Sequence, residues 1–408
     1  MSKLLRVVAL ATAVLGAAAS ASAAEDRALA HARELLARTI LVDGHNDLPW
    51  KIREDDAAKG DPAKYDLRGT VSGNTDLARI KAGGLGGQFW SVYIPGEIGS
   101  GYAKMQLEQI ELARRIVERY PDAFGFALTA DQVEAEHRAG RVGSLLGIEG
   151  GHAIEDSLGA LGAYYRLGVR YMTLTHNVNL SWADSAAVPG EHGGLTDFGR
   201  DVVREMNRLG MLVDLSHTAP DTMRDALEVA RAPVIFSHSN AKKLCDVPRN
   251  VPDDVLDKVK VNGGVVMVTF VAGFVSQKVA NITQPAMARY KEQIKNVTDT
   301  KEQDRIRKEI FDPLVLPKVT IGQVADHIDY IKKRIGVAHV GIGGDFDGND
   351  KWPEGLSDVS MYPNLFAELI RRGWTDVQLE QLAGKNVLRA LRGAESVAAR
   401  LQAEDAKR

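Results

Sequence analysis

Five apolar runs in this chain each end in a side chain that can bind or serve a metal ion. TILVDGHND ends in His45 and Asp47, and VGSLLGIEG ends in Glu149. MLVDLSH ends in His217, PVIFSH in His238 and HVGIGGDFDG in Asp345. A single strand-end histidine is more often a hydrogen-bonded structural residue than a ligand. Five such ends, on parallel strands closed into a barrel, place three histidines and three carboxylates around one mouth. Imidazole and carboxylate donors suit zinc or a similar divalent ion. Residues two apart on a strand share a face, so His45 and Asp47 converge while Asn46 points away. Glu149 follows a buried-looking run, where a carboxylate is costly unless paired or bound to a cation. Its two oxygens can bridge two ions. The alternative is a pairing with a distant Arg or Lys, since none is adjacent. The combined reading is a two-metal hydrolase. One ion is held by His45, Asp47 and Glu149, the other by Glu149, His217 and His238, at roughly 3.5–4 Å with a shared water.

Other residues at these ends have more than one reading. Asp345 is assigned to the metal cavity, whereas Asp347 is expected to cap the following turn, a common use of Asp beside Gly. By strand parity both face the same way. His176, after VRYMTLT, either polarises a substrate carbonyl or bonds a neighbour. Arg249, eleven residues after His238, either grips a carboxylate bidentately or is a solvated loop arginine. His152, three after Glu149, is undecided. His31, His137, His192, His327 and His339 read as surface or structural.

The elements that must position these groups alternate. Strand-like runs fall near 39–45, 87–94, 124–128, 143–148, 169–175, 211–216, 233–237, 264–270 and 338–344, with helical periodicity between them, as in YAKMQLEQIELARRIVERY. Repeated alternation argues for an α/β fold with a parallel sheet. At least eight units favour a (β/α)8 TIM barrel of the metal-dependent hydrolase type. An open doubly wound sheet is the runner-up, but the glycine-rich phosphate turn it normally carries early in the chain is missing. Residues 51–76 are expected to form a polar loop over the mouth, and 276–318 a charged helical insertion, most simply a solvated hairpin. The tail from about 393 is expected to fray.

Of the 408 residues, 45% are hydrophobic and 26% charged, enough for one large core or two modest ones. The 51 basic and 54 acidic residues are interspersed, which argues against a nucleic-acid stripe or a polybasic membrane patch. Residues 1–24 have a short basic start, an uncharged apolar stretch and Ala21-Ser22-Ala23. They read as a cleaved signal peptide, so the expected mature protein is periplasmic or secreted, a single domain spanning 25–408. Cys245 is the only cysteine, which excludes an intramolecular disulfide. Asn179, Asn281 and Asn296 begin glycosylation triplets of a kind that is frequent by chance.

The segments LVDGHNDLPW, GIEGGH, LTHN with SWADS, VDLSH, SHS with RNVPDDVL, and GIGGDFDG, in this order, resemble the membrane (renal-type) dipeptidases. The likeness spans roughly 40–390. It implies a (β/α)8 barrel with two zinc ions bridged by Glu149 and the ligand division given above. It also implies that His176 polarises the carbonyl, that Arg249 partners the substrate carboxylate, and that Asp345 is the acid/base. The substrate implied is a free dipeptide, with a D-residue at the second position or a β-lactam as further options. The family's lipid anchor and disulfide-linked dimer are not expected, since one Cys and no apolar C-terminal tail are present. A non-covalent homodimer without a membrane anchor is the family-like expectation. Rival readings are another barrel hydrolase (lactonase, deaminase, β-lactam or cyclic-amide hydrolase) and an inactive exported binding protein. Relatives of the first kind typically begin with His-x-His and often bridge with a modified Lys. The His-x-Asp and Glu found here favour the dipeptidase.

Overall fold

The computed structural model describes residues 27–297 and 299–407; the expected signal segment lies outside them. Among the described residues nine strands form in chain order: β1 Leu41–Asn46, β2 Leu85–Ser91, β3 Phe124–Phe126, β4 Val142–Glu149, β5 Val169–Thr173, β6 Leu212–Asp214, β7 Ile235–Phe236, β8 Val265–Val268 and β9 Val340–Ile342. All pairings between them are parallel. Every residue of the strands other than β3 is buried, as expected of strands covered on both faces.

Eight strands close into a ring. β1 pairs with both β2 and β9, and β2 pairs with β4, skipping β3. The result is the expected (β/α)8 barrel. The run near 124–128 does not join it. Its three strand residues pair only with the first half of β4, Phe124 opposite Val142 and Phe126 opposite Ser144, while β5 takes β4 from Leu146 onward.

Amphipathic helices cover the ring. Asp197–Leu209 is representative. Thr196 caps it by accepting the Gly199 N–H, Val202, Val203, Met206 and Leu209 face inward, and Gly210 ends it at φ 87°. The stretch after β1 is not all loop. Leu48–Glu54 is a helix, because Pro49 fits a first turn and Leu48 and Ile52 bury a face. Residues 276–318 contain the helices Gln277–Ile294 and Thr300–Phe311, joined by a small apolar cluster of Ile294, Ile306 and Ile310. Lys291 Nζ donates to the Ala187 carbonyl at 2.5 Å, tying this hairpin to a mouth loop.

The tail corrects an expectation. It is helical through Asp405, with Ala394 and Ala398 buried. Its small side chains let it pack against Asp197–Leu209, and Gln402 donates to the Arg208 carbonyl at 2.8 Å. Among the described residues no helix is long and apolar enough to cross a membrane.

Candidate metal centre

Parallel strands deliver their C-terminal ends to one rim, and the chemistry-bearing residues sit there. His45 lies within β1 and Asp47 just past it. Glu149 is the last residue of β4. His176, His217, His238 and Asp345 follow β5, β6, β7 and β9 by two or three residues. His217 and Asp345 adopt left-handed backbone, φ 65° and 67°. Such conformations are uncommon for non-glycine residues and collect at functional sites. They turn the chain sharply, so the side chains reach inward after the strand has ended.

The rim is held from within by Asp43 on β1. This buried carboxylate accepts the His45 and Gly344 N–H groups at 2.8 and 2.9 Å and the Tyr362 hydroxyl at 2.7 Å. The Asp345 N–H donates to the His45 carbonyl at 3.1 Å, and the Asp47 N–H to the Phe346 carbonyl at 2.9 Å. The first and last strands of the barrel are thereby locked in register where their functional residues emerge.

Glu149 lies at the centre. Its Oε1 is 2.9 Å from His217 Nε2, 3.4 Å from His238 Nε2 and 3.7 Å from His176 Nε2. Its Oε2 is 3.5 Å from His45 Nε2 and accepts from Ser91 Oγ at 3.4 Å. His45 Nε2 is also 3.2 Å from Asp47 Oδ2 and 3.9 Å from Asp345 Oδ1. Three overlapping sets have ligand atoms mutually within 4.8 Å: His45–Glu149–His238, Glu149–His176–His217 and His45–Asp47–Asp345. All the residues assigned to the mouth from the sequence are brought together. Proximity divides them differently from the expected ligand sets, because the His238 ring sits 3.9 Å from that of His45 as well as beside His217.

The electrostatics suit cations. Burial pushes the carboxyls of Glu149 and Asp345 above their ordinary range, and Asp47 adds repulsion to both. Burial pushes the imidazoles of His176, His217 and His238 well below theirs, which leaves them neutral donors. His45 Nε2, Asp47 Oδ1, His176 Nδ1 and His217 Nδ1 are buried without a hydrogen-bond partner. His45 differs: burial lowers its pKa, but Tyr171, Asp47 and Glu149 outweigh that and hold the imidazole well above its ordinary range. Three neutral imidazoles, crowded carboxylates and orphaned polar atoms are what divalent ions would satisfy. Gly348 belongs to the same packing. A Cβ there would stand 2.2 Å from Asp47 Oδ2 and 2.6 Å from Asp345 Oδ1, so only glycine lets the backbone pass this close.

Arg249 is not a solvated loop arginine. It is 7% exposed, and burial lowers its pKa to about 10 despite the opposing attraction of Asp345, Glu149 and Asp214. Its hydrogen bonds go to neutral oxygens, Ser239 Oγ and the His238 carbonyl, both at 3.2 Å, and Nε has no partner. The guanidinium lies 5.1 Å over the Phe274 ring. Asp347 also departs from expectation. β9 ends at Ile342, so strand parity does not reach it. Its Oδ1 accepts the Asn74 N–H at 2.6 Å, and its own N–H donates to Asn74 Oδ1 at 3.0 Å, which fastens the loop before residue 76 to the rim. His152 is buried, donates through Nε2 to the Ile94 carbonyl at 2.9 Å and packs on Tyr102. The sequence reading passed over Tyr93, whose ring stands 4.9 Å from both Trp50 and His176 and forms a wall of the mouth. A bulky aromatic just past β2 was the only signal for it.

The loop that carries Arg249 is pinned by His327, a structural residue as expected. Its Nδ1 accepts the Ala241 N–H at 3.2 Å, so Nε2–H donates to the Val275 carbonyl at 3.0 Å. Burial lowers its pKa from the usual 6.5 to about 4. A folded value below the unfolded one means full stability above about pH 6.5 and progressive loss as the pH falls to about 4. Urea unfolding across that window should show the decline, to which the buried His152, His176, His217 and His238 also contribute, and His327→Gln should make it shallower. An unchanged slope would remove His327 as a source of it.

The profile of the family described as membrane dipeptidase (peptidase family M19) matches residues 29–405. A relative from Clonostachys rogersoniana, the dipeptidase verJ, is 40% identical over 389 residues, covering 92% of this chain and 90% of the relative. Solved structures also resemble this chain, two of them as follows. One is a probable dipeptidase, PvdM, from Pseudomonas aeruginosa, with TM-score 0.79 and 23% identity over 91% of this chain and 100% of that one. The other is a metallopeptidase from Rhodobacter sphaeroides, liganded with a phosphinate mimic of the dipeptide L-Ala-D-Ala. Its TM-score is 0.70 at 25% identity, over 87% of this chain and 99% of that one.

Proposed function

Because the chain belongs to the membrane dipeptidase family, a family of metallopeptidases that hydrolyse dipeptides, we propose that it is a binuclear zinc enzyme with Glu149 as the bridging ligand. The observation that carries this reading is the division of labour within one carboxylate. Oε1 faces three imidazoles at 2.9–3.7 Å while Oε2 faces a fourth at 3.5 Å. In the proposed assignment His45, Asp47 and Glu149 hold one ion, and Glu149, His217 and His238 hold the other.

Bound divalent ions would supply Lewis acidity and bring the pKa of a ligated water to about 7. The remaining work falls to the protein. Arg249, buried and carrying a free Nε–H, receives the C-terminal carboxylate of the dipeptide. A third residue would collide there, which restricts the substrate to two. His176, neutral at working pH, directs an N–H at the scissile carbonyl and stabilises the charge that develops on its oxygen. Asp345 accepts the proton of the attacking water and returns it to the leaving amine. The ligand of the Rhodobacter sphaeroides relative supports including a C-terminal D-residue among the substrates. The proposal extends to export through cleavage near residue 24 and to a non-covalent homodimer. N-terminal sequencing and light scattering of the recovered protein check both.

The test is metal analysis of the purified protein with turnover of L-Xaa-L-Xaa and L-Xaa-D-Xaa dipeptides, before and after chelation. Two equivalents of zinc, with activity lost in chelator and restored by Zn2+, are expected. Full turnover by the stripped protein would remove the metal from the mechanism. Arg249→Ala should raise KM by about 10- to 100-fold, the loss of roughly 1.5–3 kcal/mol for a charge-assisted bond, with a smaller change in kcat. An unchanged KM would take the carboxylate grip away from Arg249.

A further inference from the structure

Behind His238 lies a carboxylate that the reaction does not use. Asp214, the last residue of β6, is fully buried. It accepts four bonds: Thr173 Oγ1 at 2.5 Å, Ser237 Oγ at 2.6 Å, and the N–H groups of Ser216 and Ser237 at 3.1 and 2.8 Å. These fill the roughly four acceptor positions of an ionised carboxylate. Ser237 Oγ lies 2.8 Å from His238 Nδ1. A hydroxyl has one proton, and that of Ser237 is committed to Asp214. Toward His238 it can offer only a lone pair, so His238 Nδ1 must carry the hydrogen. Its Nε2, 2.9 Å from His217 Nε2 and 3.4 Å from Glu149 Oε1, is then left with a lone pair facing the cavity, where the His217 ring can donate to it when no cation is bound.

We propose that Asp214, acting through Ser237, fixes the tautomer and orientation of His238 and so readies its Nε2 to bind a divalent cation. Both are positioning residues. The main chain beneath the ring has its own anchor, since the backbone N–H of His238 donates to Ser216 Oγ at 3.0 Å. The other histidines lack such a relay. His217 and His176 have buried Nδ1 atoms without a partner, and His45 Nδ1 meets the Tyr171 hydroxyl at 2.9 Å, a group that can either give or take a proton. A carboxylate behind a ligating imidazole raises metal affinity by holding the ring and its tautomer, and its loss commonly costs 10- to 100-fold. Here a serine is interposed, which permits a sharper prediction. In Asp214→Asn the amide can donate to Ser237 Oγ and turn the serine proton toward Nδ1. The hydrogen of His238 would then move to Nε2, the wrong side.

The inference rests on the reading of His238 as a metal ligand, and the experiment separates the two. The full-length protein is equilibrated with Zn2+ buffered by a competing chelator, and occupancy and the thermal midpoint are followed with and without metal. Wild type is expected to bind tightly. Ser237→Ala should lose on the order of 10- to 100-fold in Zn2+ affinity with little change in its metal-free midpoint, Ser237→Thr should recover most of it, and Asp214→Asn should lose more than Ser237→Ala. Failure of wild type to bind Zn2+ would sink the metal reading itself. Tight binding by wild type with Ser237→Ala within about twofold of it, or Ser237→Thr no better than Ser237→Ala, would overturn the relay alone. If Asp214→Asn does not fold, the two Ser237 variants decide.

Discussion

Asp345→Asn is expected to keep its metals and its fold and to lose about 10²- to 10⁴-fold in kcat, the usual range for removing a general acid/base. The substitution is unusually clean at this position. Asp345 holds φ 67°, a conformation that asparagine tolerates better than most residues, so the turn after β9 should survive. The amide is nearly isosteric, which respects the close packing of Gly348, where even a Cβ would stand 2.6 Å from Asp345 Oδ1. What disappears is the capacity to take and release a proton. The native environment favours that capacity, because burial together with Asp47 and Glu149 lifts the Asp345 carboxyl well above an ordinary aspartate, against the opposing pull of His45 and Arg249. Steady-state kinetics on one good dipeptide, with metal content from the same preparation, checks the expectation. Two retained metals with near-normal kcat would strip Asp345 of its role.

The mouth of the barrel was legible in the sequence for a geometric reason. Parallel strands all finish on one side, so a residue type repeated at strand ends is a cluster in space before any coordinates are known. His45, Asp47, Glu149, His217, His238 and Asp345 were found this way, and the distances around Glu149 bring them together. The pattern failed where the chain leaves regular strand. Asp347 shares parity with Asp345 on paper, but the left-handed turn between Ile342 and Gly348 cancels the alternation and sends it to Asn74. β3 looked like a ring member because its apolar run resembles the others. Which strands become neighbours across a sheet is settled by pairing partners, and β2 reaches β4 past it. The burial of Arg249 depends on Ser239, Phe274 and a loop pinned by His327, contacts separated by up to dozens of residues. The relay from Asp214 to His238 spans two strands and a hydroxyl proton, so no spacing rule within one segment would expose it.

Glu149→Gln should fail in a different way from Asp345→Asn, and the contrast is diagnostic. Glutamine keeps the length of the side chain but has one acceptor oxygen, and its NH2 must face either the three imidazoles near Oε1 or His45 near Oε2. Two cations cannot share it. Zinc retention should therefore fall, with kcat down on the order of 10³-fold or more, as the metal chemistry and the electrostatic stabilisation around it are lost together. The metal-free protein should move in the opposite direction. Burial raises the Glu149 pKa above its unfolded value, so the carboxyl favours folding at low pH, and that contribution is lost as the pH rises through the folded pKa. Above the folded pKa, without metal, the ionised group opposes folding, and a neutral amide relieves that cost. The thermal midpoint of Glu149→Gln in chelator should equal or exceed that of wild type in chelator, while the gain on adding Zn2+, large in wild type, should shrink. A variant that still binds two zinc ions as tightly as wild type would show that the ions do not share this side chain.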